Sequence, residues 1–254
     1  MLFNNSFIQA FLDDKELQEE PLFKLLEDFK EPDIKRKDVV KEVSTQIQAI
    51  SDKFPIFNLD LWNSLFIDTS FLDIISICPM VGGNKIGYQI HKDDKIYLFI
   101  DVIQVANCTR VVSQMMYIIK NFISLEVTKI GIHQYYPMKL KEYLDILDYL
   151  TFANGLANFL AWNEDCNTYS FHTDKYEVHK EKAFGMLAQA IEVDNKVVQH
   201  KLLLCAKSPI LWDRFASVAG MFYIHDIYQE QGTEGIVSLF NEGPNNFIYR
   251  IFHS

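Results

Sequence analysis

The chain has 254 residues, of which 49% are hydrophobic and 23% charged, and its formal net charge is -10. This balance is typical of a soluble globular protein and argues against nucleic acid or an anionic membrane surface as a partner. No run reaches the roughly eighteen apolar residues of a membrane span, and the first residues lack the pattern of a secretory signal. Four widely spaced cysteines favour free thiols in a reducing compartment, so a cytoplasmic location is expected.

Residues 1–67 are predicted to form a helical layer. Leu17–Phe29 and Asp38–Phe54 carry apolar residues at three- and four-residue spacing, and a proline follows each run. Phe57–Phe66 is a third, shorter candidate helix. These helices are expected to cover the elements that follow.

Residues 68–101 are predicted to form a small sheet. Phe71–Cys78 is short and rich in β-branched residues, Lys85–Ile90 alternates, and Lys95–Asp101 is apolar. His91–Asp94 has the composition of a hairpin turn between the last two strands. The expected sheet has three to four strands and is mostly antiparallel.

From residue 102 onward the pattern is helical, with breaks near Gly131–Pro137, Asn163–Asp174, Lys207–Pro209 and Gly232. The chain is therefore predicted to be a single, mostly helical α+β domain over residues 1–254. Its parts are the helical layer 1–67, the small sheet 68–101 and a helical half 102–254.

Two helix-like runs carry the most specific motifs. Ile103–Phe122 directly follows the strand Lys95–Asp101, and Leu147–Trp162 contains the motif Asn154-Gly-Leu-Ala157. A third piece, Ala219-Gly-Met-Phe-Tyr-Ile-His-Asp226, lies near the C-terminal end. Over roughly residues 70–250 this order resembles the thermolysin-like (gluzincin) metalloproteases, specifically a small bacterial family of predicted Zn-dependent proteases of unknown function.

The resemblance implies a gluzincin-like scaffold whose chemistry is missing. In that family one helix presents two zinc-binding histidines at i and i+4 with a glutamate as general base, and a later glutamate is the third ligand. The corresponding positions here are Ala106 and Arg110 for the histidines, Asn107 for the base and Asn154 for the third ligand. Zinc is therefore expected to be absent, and no other cofactor is predicted.

The resemblance thus implies a catalytically inactive pseudo-peptidase that acts as a binding or regulatory protein for an unknown protein or peptide. A hydrogen bond between Arg110 and Asn154 is expected to fill the vacated metal position, because buried polar groups need partners. The residues expected to line the old cleft are Cys108, Asn158, Tyr223 and His225.

Three alternatives stay open. His172, Glu177 and His179, with Asp174 beside them, form a possible non-standard metal site for an active hydrolase, although surface histidines on a charged helix are more common. Cys108 with His133 is a candidate thiol nucleophile, although a cysteine within an apolar helix usually just packs. The last alternative is an interaction domain without peptidase ancestry.

Overall fold

The computed structural model describes residues 1–26, 28–51, 53–138 and 142–253. Within them the strands are β1 (Leu2–Phe3), β2 (Ile75–Met80), β3 (Gly87–Lys92) and β4 (Lys95–Asp101). The α-helices are α1 (Ser6–Leu12), α2 (Lys37–Ser51), α3 (Leu59–Leu65), α4 (Val102–Cys108), α5 (Val112–Tyr135), α6 (Tyr143–Ala161), α7 (Asp174–Ile191), α8 (Lys196–Ala206), α9 (Phe215–Glu242) and α10 (Phe247–His253). The predicted class, a mostly helical α+β chain with a small sheet, is confirmed.

The chain divides into two compact units. The first comprises Met1–Ile56 and Asp68–Val127 and contains the sheet, and the second comprises Phe57–Ile67 and the chain from Thr128 onward. The borders of the units differ from the predicted segments, because residues 57–67 belong to the second unit and not, as predicted, with the N-terminal helical layer. A single domain over residues 1–254 stays a prediction.

The sheet is mixed, so the prediction of a mostly antiparallel sheet is wrong. Its strand order is β1-β2-β4-β3, with β1 parallel to β2, β2 parallel to β4, and β3 antiparallel to β4. The hairpin turn between β3 and β4 contains Asp93 and Asp94, whose φ angles are 50° and 58°. The hairpin formed by β3 and β4 joins the sheet through its second strand, so β4 lies between β2 and β3 and runs parallel to β2.

The first unit shows one helix where the sequence pattern holds and one place where it does not. In α2 the buried face consists of Val40, Val43 and Ile47, within the predicted helix Asp38–Phe54. The predicted helix Leu17–Phe29 is wrong, because the described residues of this segment, which leave out Glu27, form only the short 3-10 helices Leu17–Glu19 and Pro21–Leu25. Proline restricts the residue before it to extended conformations, and Glu20 has φ -68° and ψ 135°.

The second unit is built on the packing of α6 against α9, with α3 and α7 also contacting α9. Helix α6 is buried over most of its length, so its apolar sequence serves the core. Helix α9 contains one non-helical residue, Gly232, at the predicted break. Among the described residues, no helix combines the length and apolarity needed to cross a bilayer.

The two helices approach closely at Gly155 of α6 and Gly220 of α9. A Cβ atom on Gly220 would lie 2.0 Å from the carbonyl oxygen of Thr151, and one on Gly155 would lie 2.7 Å from the carbonyl carbon of Gly220. Only glycine lets two helix backbones come this close. Gly155 of the Asn-Gly-Leu-Ala motif therefore has a packing role.

Candidate functional site

The helix predicted to be continuous over Ile103–Phe122 is interrupted, and this interruption separates the positions compared with the zinc-binding motif. Helix α4 ends at Cys108, Thr109 is extended (φ -156°, ψ 155°), and α5 begins at Val112. The Thr109 hydroxyl accepts a hydrogen bond from the Val111 amide at 3.2 Å and donates one to the Gln114 side chain at 2.6 Å. Threonine side chains that bond to nearby backbone compete with helix continuation in this way.

As a result, Ala106 and Arg110 are not one turn apart on a single helix. Ala106 is buried in α4, whereas Arg110 is exposed in the interruption. Asn107 is exposed; its side-chain oxygen accepts a hydrogen bond from Arg36, and its amide nitrogen lies 3.4 Å from the Gln104 side-chain oxygen. These three positions offer no imidazole or carboxylate to a metal ion.

Helix α4 is anchored by Asp101, the last residue of β4 and the N-cap of the helix. The buried carboxylate accepts hydrogen bonds from the backbone amides of Gln104 and Gly83. Burial raises the pKa of Asp101, and the backbone hydrogen bonds only partly offset this effect. Asp101 thus holds the turn after β2 and the start of α4 together.

Asn154 and Asn158 belong to α6 in the second unit, while Arg110 belongs to the first. Asn158 is buried and donates hydrogen bonds of 2.6 Å to the Ser217 hydroxyl of α9 and to the Asn154 backbone carbonyl. The Asn158 side chain therefore links α6 to α9 by a buried hydrogen bond. The Arg110–Asn154 hydrogen bond stays a prediction.

The remaining expected cleft residues are spread through the fold. Cys108 is exposed at the end of α4, which corrects the expectation of a packed cysteine. Tyr223, half-buried in α9, contacts the ring of Phe247 edge-on. His133, the suggested partner of Cys108, lies in the second unit with a ring nitrogen 3.3 Å from the Tyr149 hydroxyl.

His225, the last of these residues, belongs to a cluster that the sequence patterns did not assemble. His172 precedes α7, His225 and Asp226 lie on α9, and all three belong to the second unit. Asp226 Oδ1 is 3.5 Å from His225 Nδ1 and 3.6 Å from His172 Nε2. One ligand atom from each residue lies within 4.8 Å of the others, an arrangement able to hold a metal ion.

The environment of this cluster is unequal on its two sides. The His225 ring is fully buried, with ring centroids of Phe171, Tyr169 and Phe159 at 4.9, 5.9 and 6.4 Å. The His172 side chain is 57% exposed. One histidine is thus fixed by aromatic packing, while the other opens the cluster to solvent.

Charge at the cluster is set by Asp226 and Lys180. The Lys180 ammonium donates to Asp226 Oδ2 at 2.9 Å. Burial acts to raise the pKa of Asp226, but the interactions with His225, Lys180 and His172 outweigh it, so the pKa lies below its usual value. Asp226 is therefore a carboxylate at neutral pH, with one oxygen held by lysine and the other facing two imidazoles.

Of the alternative metal ligands suggested by the sequence, only His172 lies in this cluster. The Glu177 side chain is exposed on the first turn of α7. The His179 ring stacks on the Trp212 ring, with their centroids 4.1 Å apart. Among the described residues, neither belongs to a group of three possible metal ligands. The sequence marked His172 and His225 separately but held no signal that α9 brings them together.

Scans of protein-family models, curated proteins and solved structures give no match to this chain.

Proposed function

We propose that this chain is a non-catalytic binding protein whose partner is a peptide or another protein. The observation that carries the proposal is the residue chemistry at Ala106, Asn107, Arg110 and Asn154. Alanine offers no ligand atom, arginine keeps its positive charge, and asparagine cannot act as a general base at neutral pH. The Asn107 side chain is also engaged by Arg36.

A gluzincin-like scaffold is part of the same proposal. Its support is the order of the strand, the helix that follows it and the later helix with Asn154-Gly-Leu-Ala157. The interruption between α4 and α5 favours the competing proposal, an interaction domain without peptidase ancestry. Both versions give the protein a binding role without proteolysis.

The test combines binding and cleavage on one set of ligands. Purified chain is incubated with an immobilised peptide library, and bound and cleaved peptides are read separately by mass spectrometry. We expect selective binding of a subset of peptides, with intact peptides recovered in the presence and absence of added Zn²⁺. Chelator-sensitive cleavage would contradict the non-catalytic role, and a library with no bound peptide would contradict peptide binding.

A second candidate, a metal-dependent hydrolase, is favoured by the cluster of His172, His225 and Asp226. Two imidazoles and one carboxylate form a ligand set that leaves a position for water, as catalytic zinc sites require. The assay is hydrolysis of peptide and ester substrates by Zn²⁺-, Mn²⁺- or Co²⁺-loaded protein. Turnover that is lost in His172→Ala would support this candidate, whereas metal-loaded protein without turnover would refute it.

A further inference from the structure

We infer that the second unit holds one divalent transition-metal ion, of which Zn²⁺ is the representative, through His172, His225 and Asp226. This inference does not rest on the proposed binding function, because a binding protein can carry a structural or regulatory ion; the second candidate, a metal-dependent hydrolase, in turn requires this ion. It also departs from the sequence-based expectation of a metal-free protein.

The two distances from Asp226 Oδ1 to the histidine nitrogens suit a small tetrahedral ion, and all three ligand atoms lie within 4.8 Å of one another. Zinc bound to nitrogen and oxygen at about 2.0–2.1 Å separates neighbouring ligand atoms by about 3.3 Å. Asp226 Oδ1 lies 3.5 Å from His225 Nδ1 and 3.6 Å from His172 Nε2. Side-chain adjustments of a few tenths of an ångström therefore bring Asp226 into place with each histidine.

Unpaired buried atoms at the centre of the cluster supply a second, independent observation. The His225 side chain is fully buried, and neither of its ring nitrogens makes a hydrogen bond of ordinary length and angle among the described residues. Asp226 Oδ1 likewise makes none, and its approach to His225 Nδ1 at 3.5 Å is a long electrostatic contact. Buried polar atoms are normally paired, and leaving them unpaired destabilises the fold. An ion between His225 Nδ1 and Asp226 Oδ1 satisfies both atoms at once.

The surrounding residues act as supports for the ligands. Lys180 holds Asp226 Oδ2 at 2.9 Å and so turns Oδ1 toward the histidines. The rings of Phe171 and Tyr169 pack against the His225 imidazole and fix its orientation. Metal sites commonly depend on such outer partners, which orient the ligands.

The charge of the cluster predicts which ions bind. Lys180 balances the single carboxylate, so a cation depends mainly on coordination by the two imidazoles. Zn²⁺, Co²⁺ and Ni²⁺ accept imidazole ligands, whereas Mg²⁺ and Ca²⁺ require several oxygen ligands. The site is therefore expected to select transition metals over Mg²⁺ and Ca²⁺. The exposed His172 leaves room for water as a further ligand.

The experiment is calorimetric titration of untagged, chelator-treated full-length protein with Zn²⁺, and with Mg²⁺ and Ca²⁺ in parallel. We expect one Zn²⁺ per chain and no measurable binding of the other two ions. In His172→Ala the affinity for Zn²⁺ should fall by about 100-fold or more, since loss of even an outer partner costs roughly 10–100-fold. His200→Ala is the matched control, because His200 is an exposed histidine outside the cluster.

Asp226→Asn provides a second variant that keeps the shape of the side chain, with circular dichroism used to verify folding. It should also lose affinity for Zn²⁺, because the amide oxygen is a weaker ligand than a carboxylate. The inference is overturned if the wild type binds no Zn²⁺, or if His172→Ala and folded Asp226→Asn bind it as tightly as His200→Ala. It is also overturned if Mg²⁺ or Ca²⁺ binds as well as Zn²⁺.

Discussion

Replacing Gly220 by alanine tests the close packing of α6 and α9 directly. The new Cβ would lie 2.0 Å from the Thr151 carbonyl oxygen, whereas ordinary contact begins at 3.4 Å, so about 1.4 Å must be opened between the helices. The obstacle is backbone and cannot rotate away. Overpacking typically costs about 1–3 kcal/mol, and the upper value applies here.

Alanine also favours a helix over glycine by about 1 kcal/mol, which offsets part of that cost. The net loss in the free energy of unfolding is therefore about 2 kcal/mol, or about 4–8 °C in Tm for a chain of this size. The assay is urea and thermal unfolding followed by circular dichroism.

The matched control is Gly185→Ala in α7, where a Cβ meets nothing within 4 Å. This variant should gain up to about 1 kcal/mol, because only the helix preference changes. If Gly220→Ala proves as stable as Gly185→Ala, the packing argument for Gly155 and Gly220 is refuted.

Two further predictions concern the first unit and the thiols. Because burial raises the pKa of Asp101 above its ordinary 3.8, the folded state binds the proton more tightly than the unfolded state. The stability of the wild type relative to Asp101→Asn should therefore fall as pH rises from 3.8 through the raised pKa, measured by urea unfolding from pH 4 to pH 7; a pH-independent difference would contradict this. Among the free cysteines, exposed Cys108 and Cys205 should react with a maleimide in the native protein, as mass spectrometry can show. Burial raises the pKa of the Cys78 thiol to about 11. The buried thiols of Cys78 and Cys166 should therefore react only after unfolding, and labelling of Cys78 in the native protein would count against the fold.

Sequence patterns predicted elements well where local signals agreed. The strand Lys95–Asp101 has the predicted bounds, because a run of buried apolar residues lies between a turn and a helix cap. Helix Tyr143–Ala161 likewise contains the predicted run Leu147–Trp162 except for its last residue, and it begins about one turn earlier. Its strong apolar content matches its position in the core of the second unit.

Where the outcome depended on tertiary contacts or single capping residues, the sequence was less informative. Parallel pairing of β2 with β4 is decided by the insertion of a hairpin, which leaves no periodic signal. Hydrogen bonds of the Thr109 hydroxyl lie between the end of α4 and the start of α5, within the run Ile103–Phe122 whose sequence predicts one continuous helix.

The candidate site illustrates the same limit. His172 and the pair His225–Asp226 are separated by more than fifty residues of chain, so spacing rules that work within one helix cannot connect them. The sequence instead grouped His172 with Glu177 and His179, which are its neighbours along the chain. Packing of α7 against α9 decides which residues meet in this unit.

The most direct measurement is X-ray absorption spectroscopy at the zinc edge on the Zn²⁺-loaded protein. We predict a first shell of nitrogen and oxygen atoms at about 2.0–2.1 Å, with imidazole scattering from two histidines and no sulfur. His172→Ala should remove one imidazole from that shell. Sulfur at about 2.3 Å, or a spectrum unchanged in His172→Ala, would place the ion elsewhere and contradict the assignment of His172, His225 and Asp226.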